Sequence, residues 1–310
     1  MSRKQVRCLH CMSLRTKMKG KQDGVQRYEC NECGKKFRSK RNKIKIAKAL
    51  WKEYSTGKQT LTEISNKIGR SYKWVRNRLD EVLVSMPDDL IPTSTIIVPD
   101  TTFWGRKYGV CVFRSWTLKR NLWWGEVASE LVANYHYGRK ILESKGWTFT
   151  AAVIDGRRGL GNVFKDIPVQ MCHFHQLQTV TKYLTRRPKT EAGKELRALA
   201  LTLTKTNEKI FTKALFNYEK KWKHFLEEKT IVLGLKRPQY THKNVRSALR
   251  SLKTNLPNLF TYLHYPELNI PNTTNTIDGY FASVKKKVAA HHGLRKDRRY
   301  KLICQLLREG

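Results

Sequence analysis

The spacing of apolar and polar positions changes along the chain and predicts three kinds of segment. Residues 43–85 carry apolar positions at helical spacing in three pieces, interrupted by Gly57 and Gly69. From Thr95 onward, the runs STIIVPDTTFWG, KYGVCVFRSW and LWWGEVASE predict three strands, followed by a helix over YHYGRKILESKG and a further strand, TFTAAVID. From about residue 185 to 262, LRALALTL, FTKALFNYEKKWKHFLEE and NVRSALRSLKTNL are amphipathic helical pieces. The pattern therefore predicts an α-helical segment and an α/β segment that contains a helical block.

The helical pieces of residues 43–85 have the layout of a helix-turn-helix unit. Their apolar faces consist of Ile44, Ile46, Ala47, Leu50 and Trp51, then Leu61, Ile64 and Ile68, then Trp74, Val75, Leu79, Val82 and Leu83. Thr60 and Glu63 have the spacing of a capping box, and IGRS forms a short turn before a third helix predicted over 71–84. That helix would present Tyr72, Lys73, Arg76, Asn77 and Arg78 to DNA. The alternative is a trihelical packing unit whose charges only face solvent, and SMPDDLIPTS predicts a linker after it.

Four of the seven cysteines have the spacing of a zinc site. They are Cys8, Cys11, Cys30 and Cys33, two C-x2-C pairs separated by 18 residues. The segment between the pairs predicts two short strands around Asp23-Gly24. His10 is a bystander, because four thiolates already complete a tetrahedral shell. We therefore expect a structural Zn²⁺ in a ribbon over residues 1–42, in preference to two disulfides.

Charge limits the partners that the chain can have. The 310 residues carry a formal net charge of +37, spread along the whole length, and 40% of them are apolar. Such a composition indicates a folded protein with a polyanionic partner such as double-stranded DNA. The alternative is a ribosomal protein or a basic protein that binds polyanions without specificity. No run of about 18 apolar residues is present, so we expect no membrane contact and a cytoplasmic, nucleoid-associated location.

Three aspartates lie at the ends of uncharged elements, although acids are scarce in this chain. Asp100 ends the apolar run TSTIIVPD, Asp155 ends TFTAAVID, and Asp278 is near the start of the helix IDGYFASVKKKV. A carboxylate at a buried strand end is costly unless it is paired or binds a metal. Carboxylates completed by water and phosphate suit Mg²⁺, and pairs of such ions assist phosphoryl transfer. The three acids therefore predict metal-dependent cutting or joining of nucleic acid.

The third acid has competing interpretations. Asn275 can cap the helix, which would put Asp278 at position N3 as a capping carboxylate. Against this, Lys285 shares a helix face with Asp278 and could approach a phosphate. Glu267, between two prolines, is the competing third ligand, although its position is typical of a loop.

Two further stretches follow the second acid. GRRGLGN is a glycine-rich turn without the pattern of a P-loop, and its Arg157 and Arg158 could approach phosphates. Cys172 and His175, three residues apart, could bind a metal or position a phosphate. They could equally be a buried thiol and a hydrogen-bonded histidine that support the acids. Trp222 and Phe225 fall at helical spacing among apolar residues, which indicates core packing rather than base stacking.

Taken together, these motifs resemble bacterial insertion-sequence transposases of the Mutator-like group. The matching segments are the four-cysteine ribbon, VPDTTFWG, VIDGRRG, the Cys172-x2-His175 pair and TTNTIDGYFASVKKK. The resemblance implies a zinc ribbon (1–42), a helix-turn-helix domain (43–86) and a ribonuclease-H-like DDE/D catalytic domain (95–310) with an all-α insertion at about 185–262. It also implies that the three acids bind two Mg²⁺ or Mn²⁺ ions. One departure is that the group usually has Glu where this chain has Asp278.

The resemblance further implies a DNA transposase that cleaves and joins strands at the terminal inverted repeats of its element and at target DNA. At least a dimer on DNA is expected. The alternative is a transposase-derived DNA-binding regulator or architectural protein that has lost catalysis. Intact acids in strand context favour the enzyme.

Overall fold

The chain forms two compact units in a computed structural model that describes residues 6–38, 40–57, 59–87, 89–231 and 237–310. The first unit comprises the chain up to Ser85 together with Val284–Glu309, and the second comprises Met86–Ser283 with Gly310. None of the described helices has the length and apolar character needed to cross a membrane.

The first unit begins with a small antiparallel sheet of β1 (Thr16–Gln22), β2 (Val25–Cys30) and β3 (Lys36–Arg38). Asp23 and Gly24 connect β1 to β2 with φ angles of 51° and 73°. Positive φ at both residues is what a tight two-residue hairpin requires, and Asp-Gly is a favoured pair there. The predicted pair of short strands around Asp23-Gly24 is therefore confirmed.

Three helices follow: α1 (Lys40–Thr56), α2 (Leu61–Ile68) and α3 (Tyr72–Asp80). The predicted capping box is confirmed, because Thr60 and Glu63 bond to each other's backbone N–H groups. Gly69 ends α2 in the left-handed conformation, at φ 61°. The third helix is shorter than predicted: Ser71 caps it from outside, and it ends at Asp80 instead of continuing to residue 84.

Part of the predicted apolar face of these helices is wrong. Ile44, Ile46 and Leu83 are exposed, Leu83 by 92%. Tyr54, which the periodicity did not select, is buried at 2% exposure. Helical spacing predicts which residues lie on the same face of a helix. Which face is buried depends on the elements that pack against it from elsewhere in the chain.

The second unit is built on a five-stranded mixed sheet. Its strands are β4 (Ser94–Phe103), β5 (Gly109–Ser115), β6 (Arg120–Val127), β7 (Thr148–Ile154) and β8 (Val169–Met171), in the spatial order β6-β5-β4-β7-β8. β4, β5 and β6 are antiparallel neighbours, whereas β7 runs parallel to β4 and β8 parallel to β7. α4 (Val132–Ser144) connects β6 to β7, and α5 (Leu160–Val163) precedes β8. The predicted succession of three strands, a helix and a further strand is confirmed, and the fourth strand, β7, lies beside the first, β4.

The sheet and α4 share one apolar core. Ile97, Phe113 and Trp123 come from three strands, and Tyr135 and Leu142 come from α4. Tyr135 and Leu142 are completely buried. This core supports the inner strands β4 and β7, which carry or lead to the first two acids.

A helical block with its own core occupies the predicted insertion. It contains α6 (His173–Leu184), α7 (Glu191–Leu201), α8 (Glu208–Lys221), α9 (Lys223–Glu227), α10 (Lys243–Leu259) and α11 (Thr261–His264). Two-residue strands β9 (Lys229–Thr230) and β10 (Gln239–Tyr240) pair within it, so the block is not entirely helical as predicted. Trp222 and Phe225 are partly buried against its core, in line with the predicted packing role.

The last two helices are α12 (Asn275–Ala289) and α13 (Lys296–Arg308). α13 packs in the first unit, where Trp51 Nε1 donates to Gln305 Oε1 at 2.9 Å. Arg298 forms a two-pronged ion pair with Asp80 at the end of α3. The sequence analysis assigned this stretch to the catalytic domain of 95–310, whereas Val284–Glu309 groups with the helix-turn-helix segment.

Candidate functional site

Asp100 and Asp155 lie on neighbouring parallel strands. Asp100 is inside β4 and not at its end as predicted, because β4 continues to Phe103 by pairing with β5. Asp155 directly follows β7. The pairing of β4 with β7 reaches Ile97 opposite Ala152, and continuing that register along both chains brings Asp100 beside Asp155.

Backbone amides hold one oxygen of each acid. Thr101 N–H donates to Asp100 Oδ1 at 2.7 Å, and Arg157 N–H donates to Asp155 Oδ1 at 2.9 Å. Between Asp155 and Arg157, Gly156 has a φ of 78°, and a Cβ there would overlap the Met171 side chain. The left-handed φ and the nearby Met171 side chain therefore favour glycine at this turn.

Asp278 is in the first turn of α12, but it does not cap the helix. The helix begins at Asn275, so Asp278 is its fourth residue, and the N–H of Ile277 donates to Thr274 O at 2.8 Å. The helix bounds place Asp278 one position beyond the predicted N3, and the side chain of Asn275, the predicted cap, lies outside the described residues. Asp278 Oδ1 is 3.7 Å from His175 Nε2, and Asp278 Oδ2 is buried and has no hydrogen-bond partner among the described residues.

The three acids lie in each other's electrostatic field. Burial, then the charge of Asp155, raise the pKa of Asp100 to about 7, although His175 opposes the shift. Burial and Asp155 also raise the pKa of Asp278, again against His175. When carboxylates raise each other's pKa, ionisation of all of them costs free energy unless a cation lies nearby. The competing ligand Glu267 is exposed in a short 3₁₀ helix and is not among the groups that shift these pKa values.

Cys172 and His175 support the start of α12. The Cys172 sulfur accepts hydrogen bonds from the Thr274 N–H at 3.3 Å and the Thr274 hydroxyl at 3.1 Å. Burial disfavours a charged His175, but Cys172 and the carboxylates of Asp278 and Asp100 outweigh it and raise the pKa of His175 to about 9. Within the described part of the chain, neither this pair nor the three acids form a group of ligand atoms as compact as the four ribbon cysteines, but Cys172 is already engaged by Thr274. The geometry therefore favours the supporting role over the metal-binding role.

Of the other residues predicted to contact phosphate, one is ion-paired within the protein and two are exposed to solvent. Arg157 is bound to Glu130, with Nη1 at 2.8 Å from Oε2, so it does not point freely toward a ligand. Arg158 and Lys285 are exposed. Glu130 lies in the loop between β6 and α4, belongs to no sequence motif and was not among the predicted site residues.

The four ribbon cysteines converge as predicted. Their sulfur atoms all lie within 4.8 Å of one another, which can hold a metal ion. Cys8 Sγ is 3.6 Å from Cys33 Sγ, and Cys11 Sγ is 3.4 Å from Cys30 Sγ. Burial raises the pKa of Cys8, but the amides of Cys11 and His10 outweigh it and lower that pKa to about 6.

α3 exposes fewer of the residues predicted to contact DNA than expected. Tyr72, Lys73 and Asn77 are exposed and Arg76 is half-buried. Arg78 is engaged within the protein: its Nη1 is 2.6 Å from Glu81 Oε2, and its guanidinium lies over the Trp74 ring. Arg78 therefore supports the helix and does not extend from it.

The chain matches no family model and no curated protein. Among solved structures, the Drosophila P element transposase strand transfer complex is similar, with a TM-score of 0.41 and 10% sequence identity. The alignment covers 90% of this chain and 94% of that chain. A superposition of this quality identifies neither a shared activity nor a shared substrate.

Proposed function

We propose that the chain is a DNA transposase that uses Asp100, Asp155 and Asp278 for metal-dependent cleavage and joining of DNA strands. The observation that carries the proposal is the convergence of three acids from distant parts of the sequence, strongly enough that the pKa of Asp100 rises to about 7. In a chain with a formal net charge of +37, three acids that repel one another need a functional reason.

The arrangement of the sheet supports this assignment. The order β6-β5-β4-β7-β8, with only β7 and β8 parallel to β4, is the order expected for a ribonuclease-H-like sheet. The helical block between β8 and α12 separates the second acid from the third, as expected for an insertion in the Mutator-like group. Fold alone does not establish activity, so the acids carry the argument.

The residues fit two divalent cations of the Mg²⁺ or Mn²⁺ type. Asp278 Oδ2 is a buried oxygen without a partner, and Asp100 and Asp155 each keep one oxygen free of the amide bond described above. Among the described residues, the ligand atoms of the acids do not form a group as compact as the cysteine sulfurs, and the proposal of two ions follows the resemblance to two-metal phosphoryl-transfer sites. When bound, such ions activate the attacking oxygen and stabilise the leaving oxygen.

The chain's own residues supply the positioning. Thr101 N–H and Arg157 N–H orient the carboxylates of Asp100 and Asp155. The charged His175 ring beside Asp278 reduces repulsion among the acids, and the bonds from Thr274 to Cys172 fix the start of the helix that carries Asp278.

The first unit would select the DNA. We propose that Tyr72, Lys73, Arg76 and Asn77 on α3 contact the terminal repeats of a mobile element, and that Cys8, Cys11, Cys30 and Cys33 bind one structural Zn²⁺. Joining two element ends would require at least two copies of the chain.

A cleavage assay tests the proposal. Duplexes that carry the inverted repeats flanking the gene are incubated with the protein and Mg²⁺ or Mn²⁺, and Asp155→Asn is the matched inactive variant. We expect nicking at the repeat boundary with the wild type only, and unchanged DNA binding by the variant. Specific binding without metal-dependent nicking would instead favour a regulator that has lost catalysis.

A further inference from the structure

Glu130 receives hydrogen bonds from two sides. Tyr135 Oη donates to Glu130 Oε1 at 2.6 Å, and Arg157 Nη1 donates to Glu130 Oε2 at 2.8 Å. Arg157 Nη2 also donates to the Glu130 backbone carbonyl. The Glu130 side chain is only 19% exposed, so these bonds are largely shielded from water.

One side of this network leads to Asp100. Tyr135 is completely buried and gives its single hydroxyl hydrogen to Glu130. The Thr101 hydroxyl, 2.9 Å from Tyr135 Oη, must therefore be the donor in that pair. The backbone N–H of Thr101 in turn holds Asp100 Oδ1.

The other side leads to Asp155. Arg157 donates from its guanidinium to Glu130 and from its backbone N–H to Asp155 Oδ1. One carboxylate is thus connected to both residues that orient the first two acids.

The backbone does not make this connection by itself. The ladder between β4 and β7 ends at Ile97 and Ala152, before either strand reaches its acid. Beyond that point, the Thr101-Tyr135-Glu130-Arg157 chain is a side-chain link between the two acid-bearing segments.

We propose that Glu130 is a positioning residue that fixes Asp100 and Asp155 relative to each other before metal binds. The inference rests on the proposed function of these acids. Each carboxylate oxygen of Glu130 accepts a hydrogen bond, one from Tyr135 and one from Arg157, so Glu130 reaches the two acids through these neighbours. Preorganised ligands bind metal more tightly because less ordering remains to be done.

The test measures Mn²⁺ binding by the full chain with electron paramagnetic resonance, together with thermal unfolding. Glu130→Gln places an amide N–H₂ opposite a donor and breaks at least one side of the network. Tyr135→Phe keeps the buried ring and breaks only the link to Asp100. Glu143→Gln is the matched control, because Glu143 also pairs with an arginine, Arg139 at 2.7 Å, but has no bond to the acids' neighbours.

We expect Glu130→Gln to weaken Mn²⁺ binding roughly 10- to 100-fold, the range for residues that orient metal ligands. Tyr135→Phe should give a smaller loss in the same direction, and Glu143→Gln none, with melting temperatures of all three close to the wild type.

The results separate this inference from the proposed function. If Asp155→Asn abolishes Mn²⁺ binding but Glu130→Gln and Tyr135→Phe leave it unchanged, the positioning role is wrong and the acid site stands. A loss with Glu130→Gln that Tyr135→Phe does not share would make Glu130 a ligand, which also overturns the inference. Wild-type protein that binds no Mn²⁺ at the acids would overturn both proposals.

Discussion

Asp278 Oδ2 is a buried carboxylate oxygen to which no group in the described chain donates a hydrogen bond. Folded proteins satisfy nearly all such atoms, and an exception often marks a place for a ligand. The neighbouring His175 compensates charge at Oδ1 but leaves Oδ2 open. Under the proposed function, a cation at this oxygen would supply the missing partner.

Asp278→Asn should abolish Mg²⁺-dependent cleavage and leave the fold intact. The amide removes the charge that burial disfavours, and no hydrogen bond to Oδ2 is lost, so the melting temperature should stay the same or rise slightly. Cleavage is measured on element ends beside Glu267→Gln, an exposed acid that should have no effect. Asp278→Glu should keep activity. Wild-type cleavage by Asp278→Asn would remove this residue from the site.

Asp100 should make the metal-free protein less stable as pH rises. Its pKa is about 7 in the fold against an ordinary 3.8, so between these values the native state binds more protons than the unfolded state, and the stability present at low pH is lost as pH rises through about 7. Mg²⁺ competes with that proton. The increase in folding stability that Mg²⁺ gives should therefore grow with pH.

Calorimetry over about pH 5.5–8, with and without Mg²⁺, measures both effects. Asp100→Asn carries no titrating group at this position and is the control that should remove them. A Mg²⁺-induced shift in melting temperature that is equal at both ends of the range would contradict the assignment.

At the scale of elements, the ribbon has a very small apolar core. Among the described residues around β1, β2 and β3, this core consists of Cys8, Cys30 and Phe37, with Val6 and Tyr28 packed against it. So little apolar burial cannot hold a sheet of this size, and we expect metal binding to contribute much of its folding free energy.

Cys30→Ser should therefore release one Zn²⁺ per chain and unfold the ribbon while the second unit keeps its structure. Metal analysis and amide NMR dispersion of the labelled full chain give the two readouts. His10→Ala is the control, since His10 is exposed and only its backbone N–H contacts Cys8 Sγ, at 3.3 Å. Unchanged zinc content in Cys30→Ser would disprove thiolate ligation by this residue.

α3 should discriminate between DNA sequences through Arg76 and Asn77. Arg76→Ala should cost about 1–3 kcal/mol on the cognate repeat and much less on random DNA. Lys243→Ala, on an exposed residue of α10, should weaken both equally and lower the salt dependence. Binding titrations at several salt concentrations separate these effects. Equal losses on both DNAs for Arg76→Ala would show that α3 does not read sequence.

At the scale of the whole molecule, α13 completes the unit that contains α3. Lys301 Nζ donates to the Leu79 carbonyl at 2.6 Å, at the carboxyl end of α3, and lies over the Trp51 ring. Leu302, Ile303 and Leu307 on the same helix are completely buried.

Removal of residues 294–310 should therefore abolish specific DNA binding and lower the melting temperature of the first unit, although α1, α2 and α3 remain in the chain. Gel-shift titration measures DNA binding, and Mn²⁺ binding at the acids is the internal control for an intact second unit. Trp51→Ala should weaken DNA binding in the same direction. If specific DNA binding survives the deletion, α13 is not required for DNA recognition by the first unit.

Local chemistry determined what the sequence could predict. The cysteine pairs, the Thr60-Glu63 box and the Asp23-Gly24 turn each depend on residues a few positions apart, and all of them appear as expected. The placement of α13 and the link through Glu130 depend on contacts between residues far apart in the chain. Periodicity carries no information about such partners.

The order of synthesis gives the split first unit a further consequence. A ribosome makes the chain from its amino end, so residues 86–283 emerge before Val284–Glu309 can complete the core around α1 and α3. The unit that carries the three acids can thus fold while the unit proposed to read DNA is still unfinished. Translation that stops early would release polypeptides with an incomplete reader, and these would compete poorly with finished copies for DNA.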